Sequence, residues 1–322
     1  MSFKNKTSWN KEALQGRARL YQIIRAFFLE KGVLEVETPI FSQAGNPDPT
    51  IQSLLADFRA FGSEKSLLRY AQTSPEFAMK RLIADGIGPI YQICKVFRLG
   101  EMGRLHNPEF SMLEWYRPDF SYLQLMDEIE ELLQVLGISD NCKRISFSEL
   151  FDRYLALDIM VASSEQLKSC AVQNGLEVVG LDDDYNDWCN LLLSHIIEPK
   201  LKDLGAVFVY DYPQSQAALA NIRLEPFSVA ERFELYIDGI EIANGYQELT
   251  DAAEYRRRFQ AENNQREKMG FNEVALDENL LNALSDGLPN CAGVAFGLDR
   301  LLIRFLGLES LHDVLSFNIN NA

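Results

Sequence analysis

Residues 97–116, FRLGEMGRLHNPEFSMLEWY, and residues 293–300, GVAFGLDR, decide the architecture. The first stretch takes the chain from an apolar run, Ile90 to Phe97, through a polar, glycine-containing segment into a second run, Phe110 to Tyr116. Runs rich in Ile, Val, Phe and Tyr around such a connector predict an antiparallel strand pair with a long loop, a kind of loop that often carries function. The second stretch predicts a strand, Cys291 to Phe296, that turns directly into a helix, Leu298 to Leu306. Gly293 and Gly297 let backbone come close to a ligand, and the helix points its positive end to the same place, with Arg300 in its first turn.

Outward from these two stretches, an amphipathic helix fits about Lys11 to Lys31, followed by GVLEVETPI, a strand stopped by Pro39. A loop at Gly45 to Thr50 precedes alternating segments around Asp57 to Ala71, which predict antiparallel strands. Thr73-Ser74-Pro75-Glu76 has the grammar of a helix start, with Ser74 as cap and Pro75 in the first turn. Tyr122 to Leu136 is a helix, and Ser146 to Lys202 gives helices and polar connectors without recognisable chemistry. Strand signals resume at AVFVYDYP from Ala206, and Asp238-Gly239 sits between two alternating apolar runs as a two-residue hairpin turn. Helices at Asp251 to Met269 and Asp277 to Ser285 complete the order. Mixed elements of this kind predict an α+β fold built on an antiparallel sheet flanked by helices.

The bulk composition narrows the function. The chain has 322 residues, 47% of them hydrophobic, enough for one large core or two moderate ones. A formal charge of −16 counts against loose, charge-driven attachment to nucleic acid, although a local basic groove is compatible with it. Cysteines 94, 142, 170, 189 and 291 form no CxxC pair and are odd in number, which predicts reduced thiols rather than a zinc knuckle or a disulfide framework. The amino terminus lacks the apolar stretch of a signal peptide and no apolar run spans a bilayer, so the expected compartment is the cytoplasm.

Three constellations offer chemistry. With Asp238-Gly239 as the turn, Tyr236 faces Glu241, and alternation by two puts Glu234 on the same sheet face. Close carboxylates repel unless a proton or cation lies between them, and Mg²⁺ takes such oxygens together with nucleotide phosphates. Glu248 adds a third acid beyond Asn244-Gly245; unrelated glutamates on a solvated face fit the same pattern. Arg98 and Phe110, at the ends of their two strands, would give a phosphate clamp and a stacking surface, or a surface ion pair and a core ring. The glycines of GVAFGLDR would approach a ligand, or only allow tight strand-to-helix packing. Taken in order, two arginines with an acidic hairpin between them point to activation of a carboxylate by ATP.

The succession VLEVETP, then FR with HNPEFSMLEWY, then ERFELYIDGIEIANGYQEL, then GVAFGLDR resembles the three motifs of class II aminoacyl-tRNA synthetases, specifically the lysyl kind. The likeness covers most of the chain outside about 137–205, which predicts one catalytic domain over 1–322 with a mostly helical insertion there. A lysyl-tRNA synthetase carries an anticodon-binding domain ahead of its first motif, and here the helix into that motif begins near residue 11. The chain therefore looks like the elongation factor P lysine ligase family, paralogues that attach (R)-β-lysine to a lysine of elongation factor P.

That resemblance implies roles. Arg98 would hold the α-phosphate, with Leu99, Gly100, His106 and Asn107 beside the ATP, and Phe110 and Arg300 would sandwich the adenine. Glu234 and Glu241 would position Mg²⁺, and Ile242 and Gly297 would line the nucleotide site. Ser74, Pro75, Glu76, Glu114, Tyr116, Glu248 and Ala295 would form the pocket for lysine or (R)-β-lysine, whose two amino groups need paired negative charge. Residues 32–39 resemble the first motif, which forms the dimer interface in this class, so a homodimer is expected, with elongation factor P as partner and tRNA disfavoured. Two positions depart from the synthetases: Gly100 stands where the second motif has an acid, with Glu101 next to it, and Ala295 replaces a glycine. The alternatives are a truncated synthetase acting on tRNA or another amine, and a regulatory paralogue that binds lysine or ATP without turnover.

Overall fold

The computed structural model describes residues 10–62, 64–176, 181, 184–320 and 322. The first nine residues, where no leader is expected, and part of the connector around residue 180 lie outside them. The chain forms two compact units, Met1–Phe120 with Thr250–Ala322, and Ser121–Leu249.

In the first unit the helix Lys11–Glu30 opens at Asn10, whose side chain accepts from the Glu12 amide at 2.9 Å. Its Leu20, Ile24 and Phe28, four residues apart, are fully buried on one face. Gly16 lies so close to Leu306 that a Cβ there would stand 2.6 Å from that side chain. Four strands pair side by side: Leu34–Glu35 runs parallel to Ile90–Phe97, which is antiparallel to Glu109–Pro118, which is antiparallel to Cys291–Gly297. The strand expected from Gly32 to Ile40 is thus only two residues long. One further bond, from the Val36 amide to the Tyr91 carbonyl at 2.8 Å, ends the ladder, and Pro39 has no N–H with which to extend it.

The register sorts the residues onto two faces. Opposite residues of an antiparallel pair share a face, so Gly297, Ala295 and Gly293 stand beside Met112, Glu114 and Tyr116. Small residues in one strand leave room over the polar side chains of its neighbour. The other face carries Leu113, Trp115, Val294 and Phe296, all buried, with Trp115 stacked on Phe296 at 5.7 Å and edge-on to Phe28 at 5.3 Å. A separate three-stranded sheet joins Phe41–Ser42, Ser66–Ala71 and Leu55–Arg59. The helix predicted with Ser74 as its cap begins one residue later than expected, at Glu76–Ala84, with Pro75 in the cap position. The Ser74 hydroxyl still accepts from the Glu76 amide at 3.0 Å.

In the second unit Val229–Ile237 and Ile240–Gln247 form the predicted hairpin, with φ of +51° at Asp238 and +76° at Gly239. Positive φ at both turn residues is the type I′ geometry that matches strand twist, and Asp-Gly adopts it readily. Val229–Ile237 also pairs with Ala206–Pro213, which runs parallel to Lys143–Ser146. Helices Phe147–Leu155, Ser164–Gln173 and Tyr185–Leu192, then a π-helical turn at Leu193–Ile197, pack around Phe147, Phe151, Trp188 and Tyr212. Among the described residues no disulfide forms: Cys142, Cys170, Cys189 and Cys291 are buried and Cys94 half-buried. Burial pushes the Cys94 thiol up to about 12. Among the described residues no helix is long and apolar enough to cross a membrane.

The helix Leu298–Leu306 is anchored through Asp299. Its carboxylate meets the Arg17 guanidinium at 2.6 Å and accepts from the Ser111 amide at 2.7 Å, with 3% of the side chain exposed. Asp299→Ala leaves a mostly buried arginine and a buried amide without their acceptor, and urea unfolding is expected to show a loss of about 3–5 kcal/mol.

Candidate active site

The first unit holds two groups of polar side chains. In one, Arg98 leaves the strand Ile90–Phe97 with Nε donating to the Thr73 carbonyl at 3.3 Å and its guanidinium carbon 5.2 Å from the Phe110 ring centre. Glu101 turns back to Arg98, 3.6 Å away. Gly100 has φ of +83°, a conformation that strains any residue with a Cβ, which gives a backbone reason for glycine at that position. The Leu99 amide bonds to the Gln52 carbonyl at 2.8 Å. His106 closes a small loop with Gly103, and its Nε2 lies 2.7 Å from an Arg300 guanidinium nitrogen while Arg300 Nε donates to the Leu105 carbonyl. Burial, then the Arg300 charge, hold the His106 imidazole below its usual value, so it is neutral and accepts from the arginine. Asn107 donates to the Glu109 carbonyl at 2.6 Å and accepts from the Ile319 amide at 3.2 Å. Gly297 caps the helix that carries Arg300. Arg98 and Phe110, and His106 and Arg300, are therefore brought together as pairs.

The other group is acidic. Glu114 is 2% exposed, and its two oxygens accept from the Ser74 hydroxyl and the Tyr116 phenol, both at 2.7 Å. Burial, then the charge of Glu76, push its carboxyl up to about 7 against the opposing pull of those hydrogen bonds and of Lys80. Ala295 stands directly across from Glu114 in the ladder and Gln92 on its other side. Two residues here escape sequence reading. Lys80 is fully buried, 2.5 Å from Glu76 and 2.7 Å from the Tyr255 hydroxyl. Glu262 has an oxygen buried without a hydrogen-bond partner among the described residues, and burial with Asp48 and Glu76 nearby pushes it up to about 8. The Glu76–Lys80 spacing of four on a helix was a visible signal, but surface helices show it as often, and nothing local announces that Tyr255 covers the lysine.

The remaining predicted residues lie in the second unit. Glu234, Tyr236 and Glu241 line an open cleft of about 410 Å³ with Asp187, Ser194 and Glu198. Tyr236 stands opposite Glu241 as the hairpin requires, and an irregularity between Leu235 and Tyr236 shifts Glu234 to face Asn244. The two acids differ in their surroundings. Glu234 accepts from Arg232 at 2.5 Å, from Tyr212 at 2.7 Å and from Tyr236 at 2.6 Å, so its charge is already matched. Burial and Glu234 hold both phenols well above their usual value, as permanent donors. Among the described residues no cluster of three or more His, Cys, Asp or Glu is arranged to hold a metal alone. Carboxylate oxygens of Glu234 and Glu241 on an open cleft fit Mg²⁺ shared with phosphates. Ile242 and Glu248 are each 2% exposed, and Glu248 bridges to Ala220.

Comparison with known proteins places the chain in a family. Residues 3–321 match the family described as tRNA synthetases class II (D, K and N). A protein of Pectobacterium atrosepticum named elongation factor P–(R)-β-lysine ligase is 43% identical over 321 residues, 98% of this chain and 99% of its own length. A protein of the same name from Pectobacterium carotovorum subsp. carotovorum is 44% identical over the same shares, and one from Salmonella dublin 44% over 95% of this chain and 94% of its own.

The raised Glu262 carboxyl makes a testable statement. The folded protein keeps this proton where the unfolded chain has lost it, so its contribution to stability falls as pH rises from about 4.5 to about 8 and is flat beyond. Thermal or urea unfolding should show Glu262→Gln gaining on the unsubstituted protein across that window, by on the order of 3 kcal/mol at its top.

Proposed function

The chain belongs to the class II tRNA synthetases of the D, K and N kind, and we propose that it activates (R)-β-lysine, or lysine, with ATP and transfers the aminoacyl group to a lysine side chain of elongation factor P. The observation that carries this reading is near end-to-end identity of 43–44% with proteins named for that ligation. The buried Glu114, with the half-buried Glu76 beside it, supports it, since a carboxylate held out of water suits a cationic amino acid.

In the first step a carboxylate oxygen of the amino acid attacks the α-phosphorus of ATP and pyrophosphate leaves. Arg98, at one face of Phe110, offsets charge on the α-phosphate, and Phe110 and Arg300 hold the adenine between them. His106, fixed by Arg300, and Leu99, Gly100, Asn107 and Gly297 line the nucleotide site. Glu234, held by Arg232 and the two tyrosines, and Glu241 would hold Mg²⁺, which would supply Lewis-acid neutralisation of the phosphates. Ser74, Pro75, Glu76, Glu114 and Tyr116 orient the amino acid, and the Ala295 methyl narrows the space across from Glu114. One methyl is worth about 1–3 kcal/mol in selectivity, enough to bias the choice between lysine isomers. In the second step the acceptor amine attacks the acyl carbon, AMP leaves and the amine proton passes to solvent. Both steps rest on positioning, with no nucleophilic side chain. The working form is a cytoplasmic homodimer of one catalytic domain with its insertion at about 137–205.

Amino-acid-dependent exchange of pyrophosphate into ATP tests the first step. Arg300→Ala should reduce exchange by about 100-fold or more with the far-UV spectrum unchanged. Exchange retained within a few-fold would remove Arg300 from the nucleotide site, and no exchange by the unsubstituted protein with either lysine isomer would remove the activation step itself.

A further inference from the structure

Lys80 has no part in the reaction described above, yet its surroundings are built with care. A lysine at 0% exposure loses its hydration, and an ammonium so placed needs both counter-charge and acceptors. Lys80 has them: Glu76 Oε1 at 2.5 Å, the Tyr255 hydroxyl at 2.7 Å and the Tyr255 ring, 5.4 Å from its nitrogen. Tyr255 is itself fully buried, in the helix Ala252–Lys268, so the ammonium is gripped between two helices. Glu76 is also the first residue of its helix, with its amide bonded to Ser74, and Ser74 in turn donates to Glu114. Lys80, Glu76, Ser74 and Glu114 thus form one connected chain that ends at the carboxylate of the amino-acid pocket.

We propose that Lys80 is a positioning residue for the substrate's amino group: its buried ammonium fixes the Glu76 carboxylate and supplies positive charge behind the Glu76–Glu114 pair, so that the pocket meets a cationic amino acid with its acids held in place. The inference rests on the amino-acid pocket assigned above. Without such a charge two desolvated carboxylates share a proton, and an ammonium ligand must displace it. Lys80 weakens the hold of Glu114 on that proton, and the ligand meets the acids in a fixed orientation. The groups that face this pair are, on its own helix, Lys80; on the helix Ala252–Lys268, Tyr255 and Glu262 with Arg258; on the strands, Tyr116 and Cys94; and Asp48 from the loop before residue 50. Lys80 opposes the upward push of burial and Glu76 on Glu114, whereas Asp48 and Glu76 add to that on Glu262.

The test is steady-state pyrophosphate exchange by the full chain with Lys80→Met, which keeps length and apolar volume and removes the charge, read from about pH 6 to 9. The expected result is a KM for lysine raised about tenfold, a KM for ATP within about twofold, and a midpoint of kcat/KM for lysine displaced to higher pH by about half a unit or more. A merely structural role would move both KM values together, or neither, and leave the midpoint where it was; either result overturns the proposal. If Lys80→Met fails to fold, Tyr255→Phe keeps the ammonium and removes one acceptor. It should shift lysine KM and the midpoint in the same directions by a smaller factor, and no shift overturns the proposal. An unsubstituted protein that gives no exchange defeats the pocket assignment and this inference together, whereas a working enzyme whose variants match it defeats this inference alone.

Discussion

The Asp299 carboxylate, ion-paired with Arg17 and accepting from the Ser111 amide, decides where the helix Leu298–Leu306 begins. A helix that starts straight from a strand has little freedom of its own, and a buried ion pair fixes what remains. Arg300 is the next residue, so its guanidinium arrives beside His106 and the Leu105 carbonyl because its neighbour is tied to the amino-terminal helix and to the strand carrying Phe110 and Glu114. Removing one partner of such a pair costs far more than the pair contributes in net stability. The same bonds therefore serve both the fold and the placement of Arg300.

The polar face of that strand follows from alternation. Trp115 and Leu113 face the core, which forces Glu114 and Tyr116 to the opposite face, and the Gly293, Ala295 and Gly297 side of the neighbouring strand leaves space there. Holding Glu114 out of water raises its carboxyl to about 7, a cost the fold offsets with two hydroxyl donors and with Lys80 behind Glu76. A carboxylate held in this way favours a neighbour that brings positive charge.

Elements governed by local rules were legible from sequence: the Asp238-Gly239 hairpin, whose turn residues take the positive φ that the pair favours, and the strand-to-helix passage at Gly297. The class II likeness, carried by specific motif spellings, foresaw the family that residues 3–321 match. What escaped depends on distant partners. The strand after Gly32 was overestimated because its apolar pattern says nothing about where the neighbour's donors end. The irregularity at Leu235–Tyr236 moved Glu234 opposite Asn244, and only the folded chain shows Arg232, Tyr212 and Tyr236 converging on that acid. Lys80 and Glu262 gain their meaning from Tyr255 and Asp48, far away in the chain. Gly100, a departure from the synthetase motif as letters, becomes intelligible once its φ of +83° is known.

The central claim is that an acyl group activated here is passed to a protein lysine. The intact mass of purified elongation factor P after incubation with the full chain, ATP, Mg²⁺ and (R)-β-lysine tests it most directly. The account predicts a gain of a single β-lysyl unit that depends on ATP. An unchanged mass alongside lysine-dependent release of AMP would contradict the acceptor, leaving a lysine-activating enzyme whose second substrate is another amine.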